Sequence, residues 1–289
     1  MGPSLIPDQI NIEGQLSLNE IRLFHELNDK DISEEEVKDV MEFTNSLRTE
    51  SNAHWEPPQP SSDSIVWRYL DFTQFMSILE RKSIWFSNIA QFEDPYEGTI
   101  PYKNIQNEIN QIVDETGVDV DIAKTVHKSL TSGYKYKSDG FVNCWNLNNH
   151  ESAALWEQYI KSTEGVAIST TVDRLERSLE DSGKELKFGN VEYIDYKNKT
   201  IQDGILPTLY HKRMSFEHEN EFRISFLNEG DDKIGSGTYL PVDTDILFDK
   251  VYLAPTSKEW FYDQVERVLH TYNIDCKLVQ SDILSDPVY

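Results

Sequence analysis

The sequence predicts an α+β fold, in which short strands are interspersed with helices along one chain. Two kinds of segment alternate. Compact apolar blocks are typical of buried strands, and segments with apolar residues at i, i+3, i+4 and i+7 are typical of amphipathic helices. Aromatic residues make up 11% of the 289 residues. That fraction is too high for a disordered chain and allows a sizeable core.

Residues 1–61 are expected to form an acidic helical hairpin followed by a proline-rich linker. Residues 17–20 and 33–36 each have the spacing of a capping box, which begins a helix. Prolines and serines follow in 52–64, and this composition favours extended backbone. We therefore predict that the main domain comprises residues 62–289.

The main domain is predicted to begin with a strand at 65–70 and a helix capped by Asp71. A second strand at 84–87 precedes a turn-rich loop at 88–98 and a helical arm at 104–137. Further strands are predicted at 141–145, 165–169, 191–196, 239–242, 251–255 and 276–280. Further helices are predicted around 155–160, at 172–180, before residue 212, and after a capping box at 256–259.

The formal net charge of −24 argues against an extended nucleic-acid-binding surface and against binding to anionic membranes, since both require basic patches. Cys144 and Cys276 are far apart and have no CxxC partner. Neither a disulfide framework nor a zinc site is therefore indicated, and a reduced, cytoplasmic setting fits. The chain begins without the features of a signal peptide, and no apolar run is long enough to span a membrane.

The common catalytic motifs do not occur in this sequence. There is no GxGxxG after a strand, no P-loop, no HExxH and no GxSxG elbow. There is also no dense group of His and Cys residues. We therefore predict no tightly bound metal ion and no Rossmann-type dinucleotide site.

Residues 212–224 bring charged and aromatic side chains together at a predicted helix-to-strand junction. In a strand that begins at Glu219, alternation places Glu219, Glu221 and Arg223 on one face and apolar residues on the other. This spacing suits a site where positive charge develops in a transition state. It equally suits the solvated face of an antiparallel sheet, so both interpretations stay open.

Polar residues within apolar strands are further candidates. Arg68 lies between two aromatic residues, and a half-buried arginine requires either a protein carboxylate or a ligand phosphate. Ser87 ends an aromatic strand, where it either caps the strand or donates a hydrogen bond to a ligand. The acidic loop 93–97 either caps turns or binds a cation, and His218 is either a surface residue or a general base.

The order of several motifs resembles a widespread bacterial family that carries a domain-of-unknown-function label. The resemblance covers about residues 65–283. The motifs are Trp67-Arg68-Tyr69, Trp85-Phe86-Ser87-Asn88, Phe92-Glu93-Asp94-Pro95-Tyr96-Glu97-Gly98, Cys144-Trp145, Trp156-Glu157-Gln158-Tyr159, Gly165-Val166-Ala167-Ile168, Lys212-Arg213, Glu219-Asn220-Glu221-Phe222-Arg223 and Val251-Tyr252-Leu253-Ala254-Pro255.

The same order also resembles, more weakly, the ADP-ribosyltransferase superfamily, whose fold is a bent, split β-sheet that clasps NAD and is surrounded by helices. The resemblance implies that Arg68 holds the cofactor and that Ser87 occupies the second-strand polar position, for which Ser169 competes. It implies that Glu221 is the catalytic glutamate. Glu219, two residues earlier, would help to choose the acceptor.

The chemistry implied by this resemblance is cleavage of the nicotinamide–ribose bond of NAD, which develops oxocarbenium character. Glu221 would stabilise that charge, and Arg68 would neutralise the pyrophosphate. An aromatic residue, Tyr69 or Trp85, would cover the nicotinamide. NAD is thus expected as a substrate, and no metal ion is expected.

The acceptor implied by the resemblance is unknown: a protein, a nucleic acid, a small molecule or water. Such an enzyme would act as a toxin or a phage-defence factor. Two alternatives stay open at this level. One is a noncatalytic ligand- or protein-binding module of the same fold, and the other is a metal-dependent nuclease that uses Glu93, Asp94 and Glu221.

Overall fold

The structure is a computed structural model that describes residues 39–40, 42–43, 55–132, 139–228 and 235–287. The chain divides into two compact units. Among the described residues, the first unit contains 39–40, 42–43, 100–132 and 196–204, and the second contains 55–99, 139–195, 205–228 and 235–287. The predicted N-terminal hairpin lies outside the described residues, apart from four helical positions. The domain boundary at residue 62 stays a prediction.

The described strands and helices follow one another along the chain in a mixed order. The strands are β1 (Ile65–Asp71), β2 (Ser83–Asn88), β3 (Gly140–Leu147), β4 (Gly165–Thr171), β5 (Lys187–Asn190), β6 (Glu192–Ile194), β7 (His211–Arg213), β8 (Glu221–Leu227), β9 (Gly237–Pro241), β10 (Lys250–Leu253) and β11 (Lys277–Gln280). The helices are α1 (Phe72–Arg81), α2 (Tyr102–Thr116), α3 (Val120–Ser132), α4 (Ala153–Tyr159), α5 (Val172–Ser178), α6 (Ile205–Leu209), α7 (Thr244–Leu247) and α8 (Glu259–Thr271), with 3₁₀ turns at Ile89–Gln91 and Met214–Glu219.

The first unit contains α2 and α3, which confirm the predicted helical arm as far as residue 132. The two helices share an apolar cluster that includes Ile112 and Val126. Asn104 holds the 196–204 segment of the same unit, because its amide group donates to the carbonyl of Ile201 and accepts from its N–H. No helix among the described residues is long and apolar enough to cross a membrane.

The main sheet of the second unit is split around β3. On one edge β3 pairs with β8 over nearly its whole length, from Gly140 opposite Leu227 to Asn146 opposite Glu221. On the other edge the carboxyl end of β3 pairs with β1, and its amino end pairs with β2. The residues in between, 143–145, pair with neither strand. β1 and β2 therefore diverge and leave a gap in the sheet.

The rest of the sheet extends from these strands. β1 leads through β4 and β10 to β11, β9 borders β2, and β5 borders β8. The pairs are antiparallel except for β10 with β11 and the separate pair of β6 with β7. The predicted fold class is confirmed: an α+β fold with a mixed, open, split sheet surrounded by helices.

The second unit contains one large apolar cluster and two smaller ones, and one face of β3 and of β8 contributes to the large cluster. Phe222, Ile224 and Phe226 alternate along β8 and pack with Phe141 and Trp145 of β3. The helix α1 begins as predicted with Asp71 as its N-cap, and the structure shows that this cap is part of a capping box. In this box Asp71 accepts from the backbone of Gln74, and the Gln74 side chain accepts from the backbone of Asp71.

The stretch 212–224 folds differently from the prediction. It begins with β7 and the 3₁₀ turn, and Asn220 adopts a left-handed conformation with φ of 40°. The strand therefore begins at Glu221, and the expected strand from Glu219 is wrong. Asn tolerates this conformation better than most residues, because its short polar side chain bonds locally. The solvated-face alternative is also wrong, since Glu221 is 4% and Arg223 0% exposed.

Several smaller predictions also need correction. The proposed capping box at 256–259 is wrong, because α8 begins at Glu259 with Lys258 as an N-cap that makes no side-chain bond. The helix expected before residue 212 is only the short α6. Strands β5 and β7 were not predicted, because four and three residues are too short to show a clear alternation.

Candidate functional site

A cavity of about 710 Å³ lies at the gap between β1 and β2. We call it the split cavity. Its volume is within the range of small-molecule sites, roughly 300–1,000 Å³. Its walls come from β1, β2, β3, α4, the loop after β2 and the segment that leads into β8. The side chains that line it include Arg68, Tyr69, Ser87, Phe92, Asp94, Glu97, Cys144, Tyr159, Lys212, Arg213, Phe216, Glu219 and Glu221.

Five of the six site residues expected from the sequence line this one cavity: Arg68, Tyr69, Ser87, Glu219 and Glu221. The sixth, Trp85, lines a neighbouring cavity.

Ser169, the alternative to Ser87, is buried in β4 and does not line the split cavity. Of the two serines, Ser87 is therefore the one that lines the split cavity. His218, the possible general base, is exposed on the 3₁₀ turn and does not line the cavity either.

The floor of the split cavity is a buried network of charges. Arg223 reaches both oxygens of Glu221, with Nε to Oε1 at 2.8 Å and Nη2 to Oε2 at 3.0 Å, and it also contacts Glu97 at 2.9 Å. Lys212 Nζ lies 2.6 Å from Glu219, 3.0 Å from Glu97 and 3.3 Å from Glu221. Each of the five side chains is less than a tenth exposed. Such groups are stable only when paired and hydrogen-bonded.

Three members of the network, Glu221, Lys212 and Arg223, hold one another in the ionised form. Burial alone would raise the pKa of Glu221, but Arg223 and Lys212 lower it to about 2. Burial would lower the pKa of Lys212, but Glu221 and Glu97 raise it above its usual value. The pKa of Arg223 is raised in the same way. The floor therefore carries three carboxylates against two cations, and its formal charge is negative if all five are ionised.

Cys144 adds a neutral thiol beside this floor. It lies opposite Arg223 across the β3–β8 pair. Burial and the negative charge of Glu221 raise the pKa of Cys144 well above its usual value, so the thiol stays protonated.

Arg68 is a further cation that lines the split cavity, and it does not belong to the charge network of the floor. Its Nη1 donates to the carbonyl of Cys144 at 3.0 Å, in the gap where β3 pairs with neither β1 nor β2. Its guanidinium lies 5.9 Å from the centroid of the Trp145 ring. Burial lowers the pKa of Arg68. Within the described parts of the chain it forms no salt bridge, unlike the other cations that line the cavity.

Aromatic rings form one wall of the cavity. Tyr69 is stacked on Tyr159 with ring centroids 6.5 Å apart and planes within 7°. The edge of Trp156 also supports Tyr69, with centroids 5.0 Å apart. The hydroxyl of Tyr69 accepts the backbone N–H of Ser152 at 2.8 Å, and burial raises its pKa to about 12. This wall is rigid and apolar enough to cover a planar ring.

Two carboxylates of the acidic loop after β2, those of Asp94 and Glu97, form salt bridges with cations of this chain. Asp94 binds Arg213 through both of its oxygens, at 2.8 and 3.1 Å. Glu97 binds Arg223 and Lys212. Among residues whose placement is described, no three His, Cys, Asp or Glu side chains are grouped as metal ligands. The three residues named for a nuclease, Glu93, Asp94 and Glu221, all line the split cavity but do not form such a group.

Reasoning from the sequence missed the partners that fix this site, namely Glu97 and Lys212 together with Cys144 and Tyr159. One sequence feature could have identified Arg223 as buried. It lies between Phe222 and Ile224 in a strand whose neighbours are apolar on both sides. Glu97 has no such feature, because it is in a turn-rich loop 126 residues away from Arg223.

The sequence matches no protein-family model and no curated protein. The resemblance to a domain-of-unknown-function family is therefore not confirmed. Among solved structures, the chain is similar to Thermus sp. 2.9 DarT in complex with NAD⁺, at 5% identity and a TM-score of 0.36, over 77% of this chain and 97% of that one. It is also similar to Thermus sp. 2.9 DarT in complex with ADP-ribosylated ssDNA, at 6% identity and a TM-score of 0.36, over 78% and 98%. Likeness at this level assigns no activity to this chain.

Proposed function

We propose that this protein binds NAD in the split cavity and breaks its nicotinamide–ribose bond, with transfer of ADP-ribose to an acceptor or to water. The observation that carries the proposal is the distribution of charge in one cavity. Arg68 is a cation without a carboxylate partner among the described residues, and the floor around Glu221 is negative. NAD has the complementary pattern, because its pyrophosphate is anionic and its nicotinamide ring is cationic.

In the proposed reaction the C–N bond between ribose and nicotinamide breaks, and nicotinamide leaves with the bonding electron pair. Positive charge then develops on the ribose, as in glycoside cleavage. An acceptor nucleophile or water forms the new bond to that carbon and loses a proton. The negative floor is already in place when the charge develops, so it stabilises the transition state without reorganising.

Glu219 and Glu221 differ in their remaining capacity to accept hydrogen bonds. Arg223 and Lys212 together donate three hydrogen bonds to the Glu221 carboxylate, which has roughly four acceptor positions. The carboxylate of Glu219 accepts two hydrogen bonds from described residues. Glu219 is thus the better acceptor for ribose hydroxyls, and Glu221 supplies fixed negative charge.

The remaining residues have positioning roles in this proposal. Arg68 binds the pyrophosphate, because a guanidinium donates to phosphate oxygens in a fixed fork. Tyr69, supported by Tyr159, covers the nicotinamide ring. Ser87 offers a hydroxyl to the ligand at the opposite strand of the gap.

The variant Glu221→Gln tests the proposal. It changes the floor from three carboxylates and two cations to two and two, so the buried charges become balanced and the fold should be kept. Loss of one fixed electrostatic stabiliser typically lowers the rate by about 10²–10³. NAD binding should decrease much less than turnover, because the charge acts mainly in the transition state. The measurement is nicotinamide release, with transfer of labelled ADP-ribose to lysate followed in parallel.

Glu217→Gln is the matched control, because Glu217 is exposed on the 3₁₀ turn two residues before Glu219. Its nicotinamide release should equal that of the wild type. Equal turnover by the wild type and Glu221→Gln would show that Glu221 is not the stabilising charge. Wild-type protein that neither binds nor consumes NAD would refute the proposal.

A noncatalytic NAD-binding protein is the second candidate function. The pairing of Glu221 favours it, since a carboxylate that already accepts three hydrogen bonds from Arg223 and Lys212 has little capacity left for a ribose hydroxyl. Calorimetry separates the two candidates. NAD binding without nicotinamide release would support a noncatalytic binding protein. Nicotinamide release that is slower in Glu221→Gln than in the wild type would exclude this second candidate.

A further inference from the structure

A second cavity, of about 420 Å³, lies between α1, β1, β2 and β9. It meets the split cavity at residues that line both, namely Arg68, Leu70 and Gln74. The two cavities are therefore neighbours on either side of one unpaired guanidinium.

This second cavity contains no carboxylate among its lining residues, so we call it the acid-free cavity. Its composition is unusual in a chain with a net charge of −24. Its charged group is Arg68, and its neutral donors include the hydroxyl of Ser77 and the amide of Gln74, whereas the hydroxyl of Thr73 donates to Asp71. The Oε1 of Gln74 accepts the Asp71 N–H, so its Nε2 is the atom that it offers to a ligand. A cation and neutral donors without a competing carboxylate favour an anionic group.

The outer wall of the acid-free cavity is aromatic. The rings of Trp85 and Tyr239 meet edge to face, with centroids 4.9 Å apart. The Tyr239 hydroxyl lies 3.1 Å from that of Ser77, and the Arg81 guanidinium lies 4.8 Å from the Tyr239 ring centroid. Gly237 permits this arrangement, because a Cβ there would lie 2.4 Å from the Trp85 ring. The position of the Trp85 ring is therefore fixed by β9.

We infer that the acid-free cavity binds a planar ring that carries a phosphate, which is the chemistry of a nucleoside monophosphate. The phosphate lies at Arg68, and the ring lies against Trp85 and Tyr239. In the proposed NAD complex this is the AMP half of the molecule, and in that respect the inference rests on the proposed function. It also explains why Trp85 is separate from the residues around Glu221.

The test is calorimetry of the full-length protein with AMP, with nicotinamide mononucleotide and with inorganic phosphate. Trp85→Leu and Tyr239→Leu should each weaken AMP binding about tenfold, since stacking of a base on an aromatic side chain is lost. Trp260→Leu is the matched control, because Trp260 is half-exposed on α8 and lines neither cavity. It should bind AMP as the wild type does. Nicotinamide mononucleotide should bind equally to all four proteins.

Tyr239→Leu keeps the inference testable if Trp85→Leu does not fold. Tyr239 is 39% exposed, so its replacement leaves no buried cavity. The inference is overturned if the wild type does not bind AMP, or if Tyr239→Leu binds it as well as the wild type. Binding of inorganic phosphate as tightly as AMP would also overturn it, because the ring would then contribute nothing. Failure of the proposed function has a different result, namely AMP binding without any nicotinamide release from NAD.

Discussion

Arg223 is a fully buried arginine whose guanidinium joins the two sides of the cavity floor. It contacts Glu221 and Glu97, and its Nη1 donates to the carbonyl of Leu209 at 2.6 Å. A buried pair of this kind adds little net stability compared with an apolar core. Removal of one partner strongly lowers the free energy of unfolding, because it leaves the other charge buried and uncompensated.

Arg223→Leu is therefore predicted to destabilise the protein by about 3–5 kcal/mol. The variant leaves three carboxylates, those of Glu97, Glu219 and Glu221, with Lys212 as their shared cation. The free energy of unfolding in urea measures the effect. Arg177→Leu is the control, because Arg177 forms an exposed pair with Asp173 and its loss should change stability by less than about 1 kcal/mol. Equal losses of stability in the two variants would mean that Arg223 does not compensate the buried carboxylates.

At the scale of an element, β5 is covered by the proline-rich segment that precedes β1. The backbone N–H of Asn190 donates to the carbonyl of Pro58 at 2.8 Å, and the side chain of Gln59 donates to the carbonyl of Phe188. The ring of Trp55 lies 5.7 Å from that of Tyr210. Residues 55–59 thus pack on the sheet, although their composition also suits a linker.

Gly189 makes this packing possible. A Cβ at that position would lie 2.6 Å from the Pro57 side chain and 2.9 Å from the Pro58 carbonyl oxygen. Gly189→Ala is predicted to cost about 1–3 kcal/mol of stability, as overpacked sites typically do. Thermal unfolding measures it. Gly235→Ala is the control, because nothing lies within 4 Å of a Cβ there. A Gly189→Ala protein as stable as the wild type would show that residues 57–58 are not held against β5.

At the scale of the whole molecule, the buried charges predict how stability depends on pH. The pKa of Glu221 is lowered from 4.5 to about 2, so its contribution is complete above pH 4.5 and is lost as the pH falls towards 2. The size of this contribution is roughly 3 kcal/mol. His211, whose pKa is lowered by burial, adds to the loss from pH 6.5 downward. Because the pKa of Lys212 is raised, the stability that Lys212 contributes is lost only as the pH rises above 10.5.

The free energy of unfolding should therefore decrease between pH 4.5 and 2, and the decrease should be smaller in Glu221→Gln by roughly 3 kcal/mol. Urea titrations at several pH values measure this difference. Glu217→Gln should follow the wild-type curve. Parallel curves for the wild type and Glu221→Gln would show that Glu221 does not titrate at a lowered pKa.

The sequence by itself determined the fold class and several of the elements that carry the site. Strands β1, β2 and β3 have apolar blocks that local periodicity identifies, and Asp71 caps α1 through contacts three residues away. The sequence also identified Arg68 and Glu221 as candidates, and the fold brings both to one cavity. These properties are accessible because they depend on residues close together in the chain, or on the order of short motifs.

The tertiary structure alone decided which charges are paired. Arg68 and Arg223 both lie in apolar strands, yet one is without a carboxylate partner among described residues and the other binds two. The difference arises from strand pairing and from a loop distant in sequence, which bring Glu97 to Arg223 and divide β1 from β2. Local periodicity shows which face of a strand a side chain occupies. It does not show which residues pack against that face, because those residues come from distant parts of the chain.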